Sequence, residues 1–195
     1  MHMRQPRIIL ASASPRRAAL LEQIGVEFSI QPADIDESVR DGETAQALAQ
    51  RLAQAKADAV ANNAVDALVI GSDTVVTLDD AIFGKPRDQA HAAAMLQQLS
   101  GRTHRVYSAV AIVAGDRQAN RVSSSDVTMQ PLRPEHISAY WASGEPRDKA
   151  GGYAIQGLGA VFVQHLAGSY SGVMGLPLYE TARLLVEFGV NVLVV

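Results

Sequence analysis

The sequence predicts an α/β fold, one unit built on a mixed β-sheet, and three observations carry that prediction. Strand-like and helix-like segments alternate along most of the chain. Apolar residues make up 48% of the 195 positions, enough for a sizeable core. No repeat, low-complexity tract or linker-like stretch divides the chain, so residues 1–195 read as a single domain. Residues 1–6, with Met1-His2-Met3 ahead of the natural start, are set apart as a disordered or non-native lead.

The elements follow in order. Ile8-Ile9-Leu10-Ala11 is a short apolar strand, and it runs into Ser12-Ala13-Ser14-Pro15-Arg16-Arg17 and a helix reaching Ile24. Ser14 is a good N-cap and Pro15 suits the first helical position, so two independent signals mark that helix start. Val26 to Gln31 reads as a strand and the acidic segment Asp34 to Glu43 as a loop. Thr44 to Ala61 is rich in alanine, with Leu48 and Leu52 four apart, and predicts a long helix. Ala67 to Leu78 is rich in β-branched residues and reads as a strand pair or one long interrupted strand. Asp79-Asp80 offers a turn, and Phe83-Gly84-Lys85-Pro86 ends the return. Gln89 to Leu99 is a helix closed by Gly101. Val106 to Val113 and Arg121 to Met129 read as paired strands joined around Ala114-Gly115-Asp116. Pro134 to Ser143 is a helix, Ala160 to Gln164 a strand, and Pro177 to Phe188 the last helix. Val190 to Val195 reads as a final strand or a docked tail.

Composition excludes several classes. A net charge of −3 argues against a general nucleic-acid binder, so an anionic partner must be met locally. The chain has no cysteine, hence no disulfide, thiolate metal site or thiol nucleophile. No stretch is long and apolar enough to span a bilayer, and a cytoplasmic location is expected. The histidines are isolated, with no pair at zinc-ligand spacing. The glycines after Tyr153 miss the dinucleotide fingerprint, because Phe162 stands where its third glycine is required.

Three segments carry chemistry. In the first, hydroxyls and two guanidinium groups converge on a helix N-terminus, whose free N–H groups favour an anion. Arg16 and Arg17 oppose the macrodipole there unless an anion offsets them; the plainer reading is a capped helix with two solvated arginines. In the second, Gly71-Ser72-Asp73-Thr74 puts a carboxylate among β-branched neighbours, where it needs a cation, a lysine or a water. Asp73 thus reads as a general base or cation ligand, or as a residue that a bulge turns outward. Lys85, between Gly84 and Pro86, suits a phosphate contact. Lys56 continues the Leu48, Leu52 spacing, so its stem lies along the core or merely covers the surface. In the third, Asp148-Lys149-Ala150-Gly151-Gly152-Tyr153-Ala154-Ile155-Gln156-Gly157-Leu158-Gly159 lets the backbone approach a planar group. The Gln156 amide can both donate to and accept from a nucleobase edge.

Taken together, Leu10 to Arg17, Gly71-Ser72-Asp73-Thr74, Gly84-Lys85-Pro86, Asp148-Lys149-Ala150-Gly151 and Gly175-Leu176-Pro177 resemble the Maf family of nucleotide pyrophosphatases, in order and from about Ile8 to Phe188. The resemblance implies an elongated, ITPase-like α/β unit with a mixed sheet flanked by helices and a central cleft. It implies metal-dependent hydrolysis of a nucleoside triphosphate to the monophosphate and pyrophosphate. Arg16, Thr74 and Gln156 match the dTTP/UTP type; the 7-methyl-GTP type tends to carry tryptophan, glutamine and glutamate there.

On that reading Ser12, Ser14, Arg16, Arg17, Lys56 and Lys85 meet the phosphates, with Thr74, Lys149 and Gln156 also at the substrate. Mg²⁺ or Mn²⁺ is held by Glu37 and Asp73, and Asp73 is the catalytic base; Glu37 reads equally as part of a solvated loop. The resemblance also suggests a homodimer and leaves sanitising of modified pyrimidine nucleotides open. The rival expectations are a 7-methyl-GTP pyrophosphatase, a non-catalytic nucleotide-binding regulator of cell division, and a nucleic-acid binder using Arg102, Arg105, Arg117 and Arg121.

Overall fold

A computed structural model describes residues 6–64 and 66–192. The predicted Met1-His2-Met3 lead and the last three residues of the predicted Val190 to Val195 tail lie outside the described residues. Within them seven strands form one mixed sheet in the order β2-β1-β3-β5-β6-β7, with β4 also on β3. The strands are β1 (Arg7–Leu10), β2 (Ser29–Ile30), β3 (Ala67–Leu78), β4 (Ala81–Phe83), β5 (Thr103–Ala114), β6 (Arg117–Met129) and β7 (Val163–Ala167). The helices are α1 (Pro15–Gln23), α2 (Ala45–Ala61), α3 (Gln89–Leu99), α4 (Pro134–Ala142), α5 (Tyr170–Met174) and α6 (Leu178–Glu187).

The central strand explains the cleft. β3 pairs antiparallel with β5 from Val69 to Thr77 along one edge. Its other edge is divided: β1 runs parallel to Ala67–Ile70, and β4 runs antiparallel to Val76–Leu78. Between those two partners, Gly71 to Val75 has no strand beside it. The hairpin into β4 turns at Asp79 and Asp80, both left-handed with φ of 48° and 65°, a conformation aspartate tolerates better than most residues. β3 is thus one continuous strand of 12 residues.

Alternation along the strands assigns the two faces. Ile9, Val69, Val75, Ala109 and Ala111 pack under α2, while Ile8, Leu10, Leu68, Ile70 and Val110 pack with Leu20, Leu21, Leu184 and Leu185 of α1 and α6. The far end of that second face holds Val76, Val106 and Val127 beneath Met95, Leu96 and Leu99 of α3 and Ile137 and Tyr140 of α4. The approach of α2 is close: a Cβ on Gly71 would fall 2.2 Å from the Ala53 carbonyl oxygen and 2.7 Å from the Ala57 nitrogen. Glycine against alanine is what lets helix and strand meet there.

Two strand expectations are corrected, one helix is added, and the two readings of the tail are separated. The strand at Val26 to Gln31 shrinks to Ser29–Ile30, because β1 offers it only two partners. Ala160 to Gln164 is mostly a 3-10 turn, Leu158–Phe162, and the strand starts at Val163. Tyr170–Met174 forms a short helix, capped by the Ser169 hydroxyl that accepts from the Gly172 N–H at 2.9 Å. Val190 to Val192 adds no strand; Val190 instead packs into the core beside α6.

Candidate active site

Asp73 lies in the unpaired stretch of β3, facing α2. Lys56 reaches it from α2: the Lys56 Nζ stands 2.7 Å from Asp73 Oδ1 and 2.6 Å from Glu37 Oε1. Lys56 and Asp73 are each 8% exposed, so neither is a surface charge. The outward bulge is therefore not formed, and the Lys56 stem runs along the core as the helical spacing suggests. Asp73 Oδ2 makes no hydrogen bond among the described residues.

Glu37 is not on a free loop. Asp36 accepts the Ser38 N–H at 2.9 Å, and Arg51 of α2 donates to the Ser38 carbonyl at 2.8 Å and to Glu43 at 2.6 and 2.8 Å. The Asp34 to Glu43 segment is thereby fastened on both sides of Glu37. Burial raises the Glu37 pKa, but the hydrogen bond and charge of Lys56, with Lys85 and Arg17 behind it, hold it below the ordinary range.

The other face of the sheet contributes the arginines. Arg17 Nε donates to the Gly175 carbonyl at 2.8 Å and its Nη1 to Ser12 Oγ at 3.1 Å. Arg16 Nε donates to the Met174 carbonyl at 3.4 Å, and Arg16 Nη1 lies 3.6 Å from Asp148 Oδ2. Burial lowers the Arg17 pKa, and the charge of Asp73 pulls it back up. Ser14 caps α1 by position only: its hydroxyl makes no capping bond and lines the cleft. Thr74, on the opposite face from Asp73, bonds Ser108 Oγ at 2.6 Å, and Ser108 donates to the Gly172 carbonyl at 2.7 Å.

Ser12, Ser14, Arg16, Arg17, Glu37, Lys56, Asp73 and Thr74 line one cavity of about 560 Å³. Because the strand edge is open from Gly71 to Val75, the cavity touches side chains from both sheet faces. Lys85, following β4, and Lys149, ion-paired with Asp148, complete its cationic wall. Five cations and three carboxylates line it, an excess of positive charge inside a chain of net −3. Such an excess raises the local positive potential of the cleft. Gln156 lines the far side, exposed, with no hydrogen bond among the described residues.

Sequence reasoning missed what holds the arginines and the Gln156 segment. The Met174 and Gly175 carbonyls are backbone atoms, invisible in residue types. Glu145 accepts from the Tyr140 hydroxyl at 2.6 Å and from the Leu158 and Gly159 N–H groups at 2.9 and 3.0 Å. The only signal for it was the glycine spacing in 157–159. The arginines of the nucleic-acid expectation are engaged elsewhere: Arg102 with Asp79, Arg105 with Asp126, and Arg117 and Arg121 with Glu187. They form no free basic stripe.

The fold and site define a mixed α/β protein with a cation-lined cleft beside a buried carboxylate. The chain belongs to the Maf family: the model described as Maf-like protein matches residues 7–188. It is 50% identical over 193 residues to the dTTP/UTP pyrophosphatase of Alkalilimnicola ehrlichii, covering 96% of this chain and 95% of that one. It is 52% identical over 182 residues to the dTTP/UTP pyrophosphatase of Pseudoalteromonas atlantica, covering 91% and 95%. Among solved structures, the Staphylococcus aureus Ham1 protein aligns with a TM-score of 0.46 at 15% identity, over 63% of this chain and 71% of that one. No helix among the described residues is long and apolar enough to cross a membrane.

Proposed function

We propose that the cleft hydrolyses a nucleoside triphosphate to the monophosphate and pyrophosphate, with dTTP and UTP preferred. The observation that carries this reading is the buried Asp73 carboxylate, with a free Oδ2, at the one gap in the strand edge and facing a wall of cations. The names of relatives at about 50% identity support the same reaction and the same bases.

In this reading Ser12, Ser14, Arg16, Arg17, Lys85 and Lys149 bind the triphosphate chain. Asp73 orients a water against the α-phosphorus and takes its proton at Oδ2. Arg16, Arg17 and Lys85 meet the charge that builds on the departing pyrophosphate. Gln156 pairs with a pyrimidine carbonyl and imino N–H, and Thr74 shapes the wall.

Glu37 and Asp73 fit a divalent cation. They are hard oxygen donors meeting at one ammonium, and Mg²⁺ takes one or two carboxylates with phosphate oxygens and waters. Among the described residues no group of three or more His, Cys, Asp or Glu is placed to hold a metal ion, so these two carboxylates would need phosphate oxygens and waters to complete its shell. When bound, Mg²⁺ or Mn²⁺ supplies Lewis-acid stabilisation of phosphate charge. We further propose a cytoplasmic location, the expectation from the sequence, and a homodimer, as the family resemblance implies.

The test is release of pyrophosphate, against orthophosphate, from dTTP, UTP, CTP, ATP, GTP and 7-methyl-GTP with Mg²⁺ or Mn²⁺. Metal-dependent pyrophosphate from dTTP and UTP is expected. Pyrophosphate mainly from 7-methyl-GTP overturns the specificity, and none from any nucleotide overturns the reaction.

A further inference from the structure

Gln156 is the side chain asked to read the base, yet it stands on a glycine-rich segment outside every strand and α-helix. Upstream, that segment is anchored by the Gly151 N–H on the Gly84 carbonyl at 3.1 Å and by the Tyr153 hydroxyl, 2.7 Å from His104 Nε2. From Ala154 to Gly159 a different device takes over. The Tyr140 hydroxyl accepts the Ala154 N–H at 3.0 Å and donates to Glu145 Oε1 at 2.6 Å. Glu145 in turn accepts the Leu158 and Gly159 N–H groups. One carboxylate–phenol pair therefore clips the chain on both sides of Gln156, two residues before it and two and three after it.

The segment is moulded on that pair. A Cβ on Gly157 would fall 2.1 Å from Glu145 Oε2, and one on Gly159 would fall 2.6 Å from the Tyr140 oxygen. Burial alone raises the Glu145 pKa, but the Tyr140 hydrogen bond and the two backbone N–H groups bring it below the ordinary carboxylate range. A carboxylate that accepts three hydrogen bonds is needed here as an anion, because its oxygens have only N–H and O–H donors to face. Among the described residues Glu145 makes no hydrogen bond to a phosphate-binding residue of the cleft, and the charge of Lys149 contributes less to it than the Tyr140, Gly159 and Leu158 hydrogen bonds, so its effect falls chiefly on the base end.

We propose that Glu145, acting with Tyr140, is a positioning residue for nucleobase selection: it fixes the Ala154 to Gly159 segment so that the Gln156 amide meets the base edge in one register. The proposal rests on the pyrimidine-nucleotide reading above. Glu145→Gln keeps the shape but puts an NH₂ group against backbone N–H donors, so the clip opens on one side. Tyr140→Phe keeps the ring and removes both bonds of the hydroxyl.

The experiment measures kcat and KM for pyrophosphate release from dTTP, UTP, CTP and GTP by the parent protein, Glu145→Gln, Tyr140→Phe and Gln156→Ala. Expected for Glu145→Gln is a rise of about tenfold or more in KM for dTTP and UTP, with kcat within about twofold and the preference over CTP and GTP reduced accordingly. Tyr140→Phe is expected to change the same ratio in the same direction. A Glu145→Gln protein that keeps the parent's preference overturns the proposal, as does an equal loss on all four nucleotides, which marks a merely structural role. A parent protein with no preference for dTTP and UTP, by contrast, defeats the specificity reading itself. The parent and Gln156→Ala measurements thus separate the two failures.

Discussion

Two ends of the same cleft are built by different means. At one end Asp73 and Lys56 stand on β3 and α2, elements locked by a paired strand edge and by the Gly71 contact with Ala53 and Ala57. At the other, Gln156 stands on a loop whose shape depends on hydrogen bonds to Glu145, Tyr140 and His104. Hydrophobic packing places a side chain against many neighbours at once, whereas a polar clip places it through two or three bonds. The difference suits a division of labour in which the reacting groups cannot drift and the selecting group is adjustable by few substitutions.

The largest expected effect lies at the packed end. Asp73→Asn should lower turnover by roughly two or more orders of magnitude, the scale of a lost general base. Turnover within a few fold of the parent would remove Asp73 from that role. The second prediction concerns the looped end, where His104 is 2% exposed with Nδ1 unpartnered. Burial lowers its pKa from 6.5 to about 4, against a small opposing pull from Asp126. The unfolded chain thus takes up the proton first, and stability present above pH 6.5 is lost as pH falls towards 4, by roughly 3 kcal/mol. Denaturant unfolding of His104→Gln between pH 7 and pH 4 should show a flatter profile than the parent. Parallel profiles would mean that His104 is not buried in neutral form.

The same contrast explains what the sequence made legible. β3, α2 and α3 announce themselves through composition and spacing, and α2 and α3 are capped where polar residues predict: Thr44 Oγ1 accepts from Ala47 and Asp88 from His91. Lys56 could be placed because its spacing from Leu48 and Leu52 is helical. The residues from Glu145 to Phe162 instead fold as three 3-10 turns, with Gly151 in the left-handed region at φ 72°. Such turns have no hydrophobic period, and their partners are set by tertiary contact. Glu145 looks like any acidic loop residue until Tyr140 is beside it. The cavity itself arises from a missing strand partner along Gly71 to Val75, and no residue type encodes a missing neighbour.

Smaller effects sharpen the packed end. Gly71→Ala should destabilise by about 2 kcal/mol, because the added methyl meets α2 backbone rather than a flexible side chain. It should also lower activity, since α2 must lift and carries Lys56 with it. Denaturant midpoint and kcat therefore fall together, and a loss of stability with unchanged kcat would show that Lys56 follows the strand despite the displacement.

Thr44→Ala is the control for that argument. It removes the N-cap bond to Ala47 at the start of the same helix and should cost about 1 kcal/mol. Three turns separate Thr44 from Lys56, and the Leu48, Ala49, Leu52 and Ala53 contacts with the sheet lie between them. Fraying at the N-terminus should stop at those contacts, leaving kcat unchanged while the denaturant midpoint falls. If kcat falls with stability in Thr44→Ala as well, then α2 moves as a whole, and the packed end is no more rigid than the loop it is being compared with.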